Sequence, residues 1–268
     1  MRRLAAIDLG TNTVRLLVVE ASRAEWRGLH AEQRVTRLGE GQAGTCVLQP
    51  AAMRRTAEVV AAFCRRAEDL GAHDVRIVGT SAVREAANSA EFLVQVRSSS
   101  GRQVRVISGE EEARLTCLGV TQGLPDLKGH FLLFDIGGGS TEFVLSRAGR
   151  PPKAVSVKLG VVELAERFMD QGPVDDTRYD AMAALVGARL AAGLTEPILR
   201  HGAPALVGAA GTVTTLRPSI SASTPTTRRE CTATASRAWW WRGSARASWP
   251  SVWPSAQSCR ASSRAGPT

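Results

Sequence analysis

Ile7-Asp8-Leu9-Gly10-Thr11-Asn12-Thr13 is a glycine-containing segment between two apolar runs, and Phe134-Asp135-Ile136-Gly137-Gly138-Gly139-Ser140-Thr141-Glu142 repeats its pattern. Apolar residues 4–7 and 14–19 flank the first segment, and apolar residues 131–134 and 143–145 flank the second. Runs of this length, bounded by turn residues, are typical of buried strands. A single Asp-x-Gly turn is common. Two in the same setting predict duplicated lobes that face a shared cleft.

Both segments have the composition of a phosphate-binding turn. Glycine at the tip lets backbone N–H groups approach phosphate oxygens. The hydroxyl groups of Thr11, Thr13, Ser140 and Thr141 add donors, and the Asp that leads each segment can hold a divalent cation. The alternative interpretation is a pair of ordinary β-turns, because the same residue types recur in turns of every kind.

The chain alternates strands with amphipathic helices up to Leu216, which is typical of an α/β protein. In the first half we predict a third strand near 24–37, a loop over 39–44, helices over 51–70 and 110–120, and strands over 75–78 and 104–107. In the second half we predict strands over 154–158 and 205–207, helices over 161–168 and 176–200, and a turn over 208–212 that enters a last helix. Functional groups of such folds lie at the carboxyl ends of the strands.

The composition is that of a globular protein with two lobes. The chain has 268 residues, of which 44% are hydrophobic and 22% charged. It contains no apolar stretch long enough to cross a bilayer and no signal-peptide pattern, so we expect a cytoplasmic protein without a membrane partner. The five cysteines are scattered, so we expect them to be reduced and mostly buried. The four histidines show no spacing that suggests a metal site.

The positive charge is concentrated in the last part of the chain. The net charge is +9, but residues 217–268 contain eight arginines and a single acid, Glu230, which leaves +2 for residues 1–216. A nearly neutral folded part argues against nucleic acid as a partner. Only the basic segment with its tryptophans could bind nucleic acid, by charge and stacking.

Residues 217–268 differ from the rest of the chain in composition. They are rich in Ser, Ala, Thr, Pro and Arg, contain no Leu, hold five of the six tryptophans, and show neither a helical nor a strand period. One interpretation is a disordered low-complexity tail. The other is a frameshift, since codons read one phase away can encode an ordinary helix, turn and strand from Leu216 to Ala235. We therefore divide the chain into an N-terminal lobe (1–124), an incomplete C-terminal lobe (125–216) and an aberrant basic tail (217–268).

Two further segments bring charge to the ends of predicted strands. Arg84 lies about one turn into a helix capped by Thr80 or Ser81, where a guanidinium and a helix N-terminus favour an anion. The alternative is a surface Arg paired with Glu85 or Glu111.

Three carboxylates follow Ser108 in the first turn of the helix over 110–120. Ser108 as N-cap with Glu111 at the third position forms a capping box, which leaves Glu112 free to act as a base. The alternative is that all three acids serve only the helix dipole.

Five segments together resemble one family. Residues 8–17, 79–86, 107–114, 135–142 and 208–212 occur in the order seen in exopolyphosphatase and guanosine pentaphosphate phosphohydrolase proteins, which belong to the actin, sugar kinase and heat-shock chaperone ATPase superfamily. The resemblance covers residues 4–216. It implies an α/β fold of two ribonuclease-H-like (actin-like ATPase) lobes around a central cleft. Because the family continues past this point to finish its second lobe, the resemblance predicts a truncated second lobe here.

The resemblance also implies a role for each motif residue. Glu112 would be the base that activates water, and Arg84 would grip the scissile phosphate. Three acids would hold Mg²⁺ directly or through water, namely Asp8, Asp135 and Glu142. The phosphate-binding residues would be Gly10, Thr11, Asn12, Thr13, Gly137, Gly138, Gly139, Ser140, Thr141, Gly211 and Thr212.

These observations predict a magnesium-dependent phosphoanhydride hydrolase that releases orthophosphate from the end of inorganic polyphosphate or from guanosine pentaphosphate. The chain lacks the Walker sequence of P-loop ATPases and the nucleophile elbow of serine hydrolases. A kinase or chaperone-like ATPase fits less well, because the Arg84 and Glu112 pair matches the phosphatase pattern. The alternative from another class is a catalytically impaired protein that binds polyphosphate or nucleotide. A homodimer could complete the second lobe.

Overall fold

A computed structural model describes residues 1–22, 25–124, 126–127, 129–169, 172, 174–194, 198, 205–215 and 239–242, with backbone alone for 214–215 and 239–242. The first half contains β1 (Arg2–Leu9), β2 (Thr13–Ala21), β3 (Trp26–Val35), α1 (Pro50–Asp69), β4 (Asp74–Gly79), α2 (Ser81–Glu85), α3 (Ser89–Ser100) and β5 (Val104–Val106). The second half contains α4 (Gly109–Gly123), β6 (Phe131–Ile136), β7 (Thr141–Arg147), β8 (Arg150–Val157), α5 (Val161–Phe168), α6 (Asp176–Gly193), β9 (Ala205–Ala209), α7 (Ala210–Thr215) and β10 (Trp239–Arg242).

The strands form two five-stranded sheets of the same order. The first sheet has the order β3-β2-β1-β4-β5 and the second the order β8-β7-β6-β9-β10. In each sheet three antiparallel strands are followed by a strand parallel to the first of them, so β4 lies beside β1 and β9 beside β6. The predicted α/β fold of two similar lobes is confirmed. The sheets differ at one edge, where β5 is parallel to β4 and β10 is antiparallel to β9.

Each sheet has its own hydrophobic core. The first cluster joins β1, β2 and β4 to helices α1 to α3, and α1 contributes Met53, Val60 and Phe63 from its buried face. The second cluster joins Phe131, Leu133, Val144 and Val207 to three residues of α4: Ala113, Cys117 and Val120. Helix α4 therefore packs on the second sheet, although it precedes that sheet in the chain.

Several predicted boundaries differ from the structure. The long helix predicted over 176–200 ends at Gly193, where the backbone of the next residue, Leu194, is extended. Strand β8 begins at Arg150 rather than at 154 and passes through two prolines, which an edge strand tolerates since one side needs no N–H donors. Helix α3 was not predicted from the sequence, because only two of its apolar residues, Phe92 and Val96, are buried.

The expected helix cap after β4 is wrong in detail. Neither Thr80 nor Ser81 caps α2 with its side chain. The Thr80 hydroxyl donates to the carbonyl of Leu9, and the Ser81 hydroxyl donates to Glu85. The Thr80 bond ties the end of β4 to the end of β1, at the position where the first turn begins.

Other expectations concern the cysteines, the basic segment and membrane spans. Cys64 and Cys117 are buried as expected, whereas Cys46 is exposed, and Cys231 and Cys259 lie outside the described residues.

Within 217–268 the structure describes only β10, a strand in a segment for which the sequence predicted no regular structure. Among the described residues, no helix is long and apolar enough to cross a membrane.

Candidate active site between the two sheets

The two glycine turns close in the same way. The backbone N–H of Gly10 donates to the carbonyl of Thr13 at 3.1 Å, and that of Gly137 donates to the carbonyl of Ser140 at 2.9 Å. A Cβ atom added at Gly10 would lie 3.0 Å from the carbonyl oxygen of Thr13, and one added at Gly137 would lie 3.0 Å from the carbonyl oxygen of Ser140. Glycine is therefore needed at both positions to close the turn. The sequence repeat corresponds to a repeat of backbone geometry.

The tips of the two turns touch across the space between the sheets. A Cβ atom at Gly138 would lie 2.9 Å from Cβ of Thr11, and one at Gly139 would lie 2.6 Å from Oγ of Ser81 and 2.7 Å from Oγ1 of Thr11. Gly160 packs against the backbone of Gly138 and Gly139 so closely that a side chain there has no room. Only residues without side chains allow this approach.

Four backbone N–H groups at the tips of the turns are available to bind an anion. The N–H groups of Thr11, Asn12, Gly138 and Gly139 have no acceptor within the described part of the chain, whereas the carbonyls of Thr11 and Asn12 accept from the segment 36–39. Successive unpaired N–H groups in a turn form an anion-binding concavity. The turns thus present donors without acceptors to the space between the sheets.

The side chains of the predicted phosphate-binding residues divide into two groups. Thr11 lies at the contact of the tips, and Ser140 lies near Glu142, where it lowers the pKa of that carboxyl against the larger effect of burial. The Thr141 hydroxyl instead donates to the carbonyl of Leu159 at 2.6 Å, and Thr212 donates to the carbonyl of Ile136 at 2.9 Å. These two hydroxyls anchor the second turn from behind. Thr13 forms the first residue of β2, and Gly211 lies in α7 next to Thr212.

Arg84 and Glu112 form an ion pair. The guanidinium Nη1 of Arg84 lies 3.2 Å from Oε2 of Glu112 and donates to the carbonyl of Ile107 at 3.0 Å. About a quarter of each side chain is exposed, at 24% for Arg84 and 21% for Glu112. Since Arg84 follows β4 and Glu112 lies on α4, the pair joins the first lobe to the helix that packs on the second sheet.

The alternative partners of Arg84 are bound elsewhere. Glu85 accepts from Ser81 and pairs with Lys158 at 2.8 Å, and Glu111 pairs with Arg105 at 2.7 Å. Ser108 caps α4 as predicted, because its Oγ accepts from the backbone N–H of Glu111. The second half of the predicted capping box is absent, since the Glu111 carboxylate reaches Arg105 instead of the Ser108 backbone.

Four carboxyl groups influence one another around this pair. Burial and the nearby Glu142 raise the pKa of Glu112 to about 8, against the opposing effect of Arg84. Burial, Glu142 and Asp8 raise the pKa of Asp135 to about 7. Burial also raises the pKa of Asp8 and of Glu142, the latter against hydrogen bonds from Ser156 and Ser140. Buried acids with mutually raised pKa values favour a cation nearby.

The acids are arranged around the space rather than gathered at one point. Among the described residues, no three His, Cys, Asp or Glu side chains are close enough to hold one metal ion directly. The Asp8 carboxyl pairs with Arg15 at 3.3 Å, and 37% of the Asp8 side chain is exposed. Burial is nevertheless the main cause of its raised pKa, as expected for a side chain at the base of a concave surface. The donor set is oxygen only, which suits a hydrated Mg²⁺ that keeps several waters.

Sequence reasoning missed residues of the second lobe that support the site. Ser156 on β8 donates to Oε1 of Glu142 at 2.7 Å and contacts Gly109, the first residue of α4. The sequence held one signal for Ser156, because a polar residue between Val155 and Val157 in a predicted strand needs a hydrogen-bond partner if it is buried. Gly160 and Lys158 carried no comparable pattern.

The two sheets have the same strand order, their glycine turns face each other, and acidic side chains surround the space between them. This arrangement defines a bilobal protein that can hold an anionic ligand. The chain belongs to the Ppx/GppA phosphatase family, whose family profile matches residues 17–244. The resemblance seen in the sequence, with its ribonuclease-H-like lobes, is thereby confirmed.

Solved structures agree with this assignment. An exopolyphosphatase from Cytophaga hutchinsonii is 28% identical, with a TM-score of 0.75 over 81% of this chain and 70% of that chain. A PPX-GPPA enzyme from Aquifex aeolicus is 30% identical, with a TM-score of 0.64 over 80% of this chain and 70% of that chain. Both similarities extend over both lobes of the described structure.

Proposed function

We propose that this protein is a phosphoanhydride hydrolase in which Glu112 activates water for attack on a terminal phosphoryl group. The observation that carries the proposal is the Arg84–Glu112 pair at 3.2 Å, which is close enough to Glu142 and Asp8 for their charges to raise the pKa of Glu112. Asp8 and Glu142 flank the two glycine turns, where N–H groups have no acceptor in the described part of the chain. Phosphoryl transfer needs charge neutralisation and an in-line nucleophile more than covalent chemistry. The residues present match those needs.

Glu112 has the properties of a general base. Its pKa of about 8 makes the ionised carboxylate a stronger proton acceptor than an ordinary glutamate, so we expect the base to work best at and above that pH. Arg84 orients the carboxylate through one N–H group, and its other N–H groups would bind a phosphoryl oxygen. The turn N–H groups of Thr11, Asn12, Gly138 and Gly139 would bind the neighbouring phosphate oxygens.

Asp8, Asp135 and Glu142 would hold Mg²⁺ through water, and the ion would supply neutralisation of phosphate charge. Their raised pKa values and their all-oxygen donor set support this assignment. Ser156 would position Glu142 by its hydrogen bond.

The substrate proposed is the end of an inorganic polyphosphate chain or guanosine pentaphosphate. Both present a terminal phosphoanhydride, and the names of the similar proteins, exopolyphosphatase and PPX-GPPA enzyme, cover these two activities. Among the described residues, the interior of the site offers backbone donors and acids, which recognise phosphate with its cation rather than a nucleotide base. We therefore expect turnover of both.

The test is phosphate release by Glu112→Gln, a substitution that keeps shape and removes the base. We expect orthophosphate release from polyphosphate to fall by about 10²- to 10⁴-fold, the range for loss of a general base. Equilibrium binding of polyphosphate should change little. The matched control is Glu110→Gln in the same helical turn, where the carboxylate is exposed and pairs only with Arg114 across the helix surface.

Unchanged release by Glu112→Gln would refute the assignment of the base. Saturable polyphosphate binding by the wild-type chain without any release would instead favour the binding protein considered above. Release that is equal for Glu110→Gln and wild type, but lost in Glu112→Gln, supports the hydrolase.

A further inference from the structure

The first glycine turn is held through its carbonyl groups by a neighbouring segment of the same lobe. The carbonyl of Thr11 accepts from the N–H of Gly39 at 2.9 Å, and the carbonyl of Asn12 accepts from the N–H groups of Thr36 and Arg37, both at 3.0 Å. We call residues 36–41 the first support. Because the support takes the carbonyls, the N–H groups at the tip stay available for an anion.

The second turn is held in the same way by residues of its own lobe. The carbonyl of Gly137 accepts from the N–H of Val161 at 3.1 Å, and the carbonyl of Gly138 accepts from the N–H of Val162 at 2.9 Å. Both donors lie at the start of α5, in the segment 158–166 that we call the second support. The position of each turn therefore follows the position of its support.

The two supports are joined directly across the cleft. The backbone N–H of Gly41 in the first support donates to Oε1 of Glu166 in the second support at 2.9 Å. Gly41 has a φ of +67°, a backbone conformation that glycine adopts without strain. Glu166 lies on α5, the helix whose first N–H groups hold the second turn. One side chain thus connects the backbone segments that carry the two turns.

A second carboxylate joins the lobes close to the tip of the second turn. Oε2 of Glu85 on α2 pairs with Nζ of Lys158 in the second support at 2.8 Å, and Oε1 of Glu85 accepts from the hydroxyl of Ser81 at 2.8 Å. Ser81 lies against Gly139, where an added Cβ atom would be 2.6 Å from its Oγ. Only 25% of the Glu85 side chain is exposed. Glu85 therefore links the second support to the first-lobe residue that touches the tip.

We propose that Glu85 and Glu166 are positioning residues that set the spacing between the two anion-binding turns. Each carboxylate accepts a donor of the opposite lobe, Lys158 for Glu85 and Gly41 for Glu166. A phosphate group that spans the turns needs the N–H donors of both at the correct separation. The inference rests on the proposed function, in which these donors bind neighbouring phosphate oxygens.

The expected effect on binding is opposite in sign to that of charge alone. Removal of a carboxylate near an anion site reduces repulsion and should strengthen anion binding. Loss of Glu85 or Glu166 should instead weaken binding, because the supports separate and the two sets of N–H donors no longer fit one ligand. The direction of the change thus distinguishes positioning from electrostatics.

Equilibrium binding of tripolyphosphate in Mg²⁺ buffer, measured by isothermal titration calorimetry, tests the role of Glu166. The full chain carries Glu112→Gln as the parent, so that hydrolysis does not interfere. We expect Glu166→Ala to raise the Kd by about 5- to 10-fold, the range for loss of one hydrogen bond. Glu166→Gln keeps an oxygen acceptor for Gly41 and should restore the Kd of the parent. Glu58→Ala, at an exposed glutamate of α1, is the control for loss of an acid elsewhere.

Glu85→Met tests the second link in the same parent. The substitution keeps the length of the side chain and removes its contacts with Lys158 and Ser81. We expect the Kd for tripolyphosphate to rise by about 5-fold, since a partly exposed ion pair contributes modestly. Thermal melts establish that each variant is folded, and a loss of folded protein would lower the number of sites without changing the Kd.

Equal Kd values for Glu166→Ala and Glu166→Gln would overturn the proposal for Glu166. Tighter binding by Glu85→Met would show that Glu85 acts by charge and would overturn its positioning role. Absence of tripolyphosphate binding by the parent would overturn both. Failure of the proposed hydrolase is read separately, as absence of phosphate release by the wild-type chain, because the binding measurement needs no turnover.

Discussion

Glu112 shows how one residue is tuned by burial and by neighbours of both signs. Its carboxyl group pairs with Arg84, yet burial and Glu142 raise its pKa to about 8. Desolvation thus outweighs the ion pair. A carboxylate held in this way is a stronger base than an exposed one, and the protein must pay for keeping it ionised.

This balance predicts a pH dependence of stability. Between the unfolded pKa of 4.5 and the folded value of about 8, the folded state binds more protons at Glu112 than the unfolded state does. Stability should therefore fall as pH rises through that window, by at most about 1.4 kcal/mol per pH unit for this group. Glu112→Gln should flatten the curve and be more stable than the wild type at pH 8. Urea unfolding in EDTA at several pH values measures this.

Glu110→Gln serves as the reference, because Glu110 lies on the surface of the same turn. Its curve should follow that of the wild type. If Glu112→Gln were instead less stable than the wild type at pH 8, the ion pair with Arg84 would outweigh the burial cost, contrary to our reasoning.

At the scale of elements, the glycine turns are the feature that lets the two sheets approach. Gly138 and Gly139 contact Thr11 and Ser81 of the other lobe, and Gly160 supports them from behind. The atoms that an added methyl group would meet belong mainly to the side chains of Thr11 and Ser81, so these side chains or the turns themselves must shift to accommodate it. The turn sequence is thus constrained by the opposite lobe as well as by its own conformation.

Gly139→Ala should therefore impair phosphate release strongly while leaving the sheets folded. The new methyl group would lie 2.6 Å from Oγ of Ser81 and 2.7 Å from Oγ1 of Thr11, so the two hydroxyl groups or the tips must shift. We expect a loss of at least about 10²-fold, as for other displacements of about 1 Å in an active site. Steady-state kinetics and circular dichroism together measure the effect.

Gly119→Ala is the matched comparison, since nothing lies within 4 Å of the added atom on helix α4. It should leave phosphate release unchanged and stabilise the protein by about 0.5–1 kcal/mol, because alanine favours the helix. Full activity of Gly139→Ala would show that the close approach of the tips is not required.

At the scale of the whole molecule, helix α4 links the two lobes. It follows β5 of the first sheet, but Ala113, Cys117 and Val120 belong to the second hydrophobic cluster. Glu112 thus lies on a helix that packs in the second core, whereas Arg84 lies on a helix that packs in the first core. Further contacts between lobes are the Lys158–Glu85 pair at 2.8 Å and the bond from the Gly41 N–H to Glu166 at 2.9 Å. The geometry of the proposed catalytic pair depends on how the lobes are held together.

Because each lobe has its own hydrophobic core, a cavity mutation in one core should reduce the stability of that lobe alone. Leu133→Ala should destabilise the second lobe by about 3–5 kcal/mol, as for other buried leucines. In hydrogen exchange, the amides of α4 should lose protection together with β6 and β7, while α1 keeps its own. Ile77→Ala, at a buried position in the first core, should give the opposite pattern.

Retained protection of α4 in Leu133→Ala would contradict its assignment to the second core. Loss of protection across both lobes in either variant would indicate one cooperative unit.

The fold and most site residues could be predicted because their signals are local. Asp-x-Gly turns between apolar runs, Ser108 before three acids, and alternation of strands with helices depend on residues a few positions apart. Helix α3 was not predicted, because few of its apolar residues are buried. The end of α6 was predicted too late, because the helical spacing was extended past the stop signal at Gly193.

The sequence by itself determined the two-lobe α/β class, the repeated turns and the candidate residues, since backbone preference and hydrophobic period are written in short stretches. Only the tertiary structure decided which carboxylate pairs with Arg84, that Thr141 and Thr212 anchor backbone rather than face the other lobe, and that α4 packs on the second sheet. It also brought Ser156 to Glu142. Such contacts and the pKa shifts depend on distance and burial in space, which residues far apart in the chain acquire only on folding.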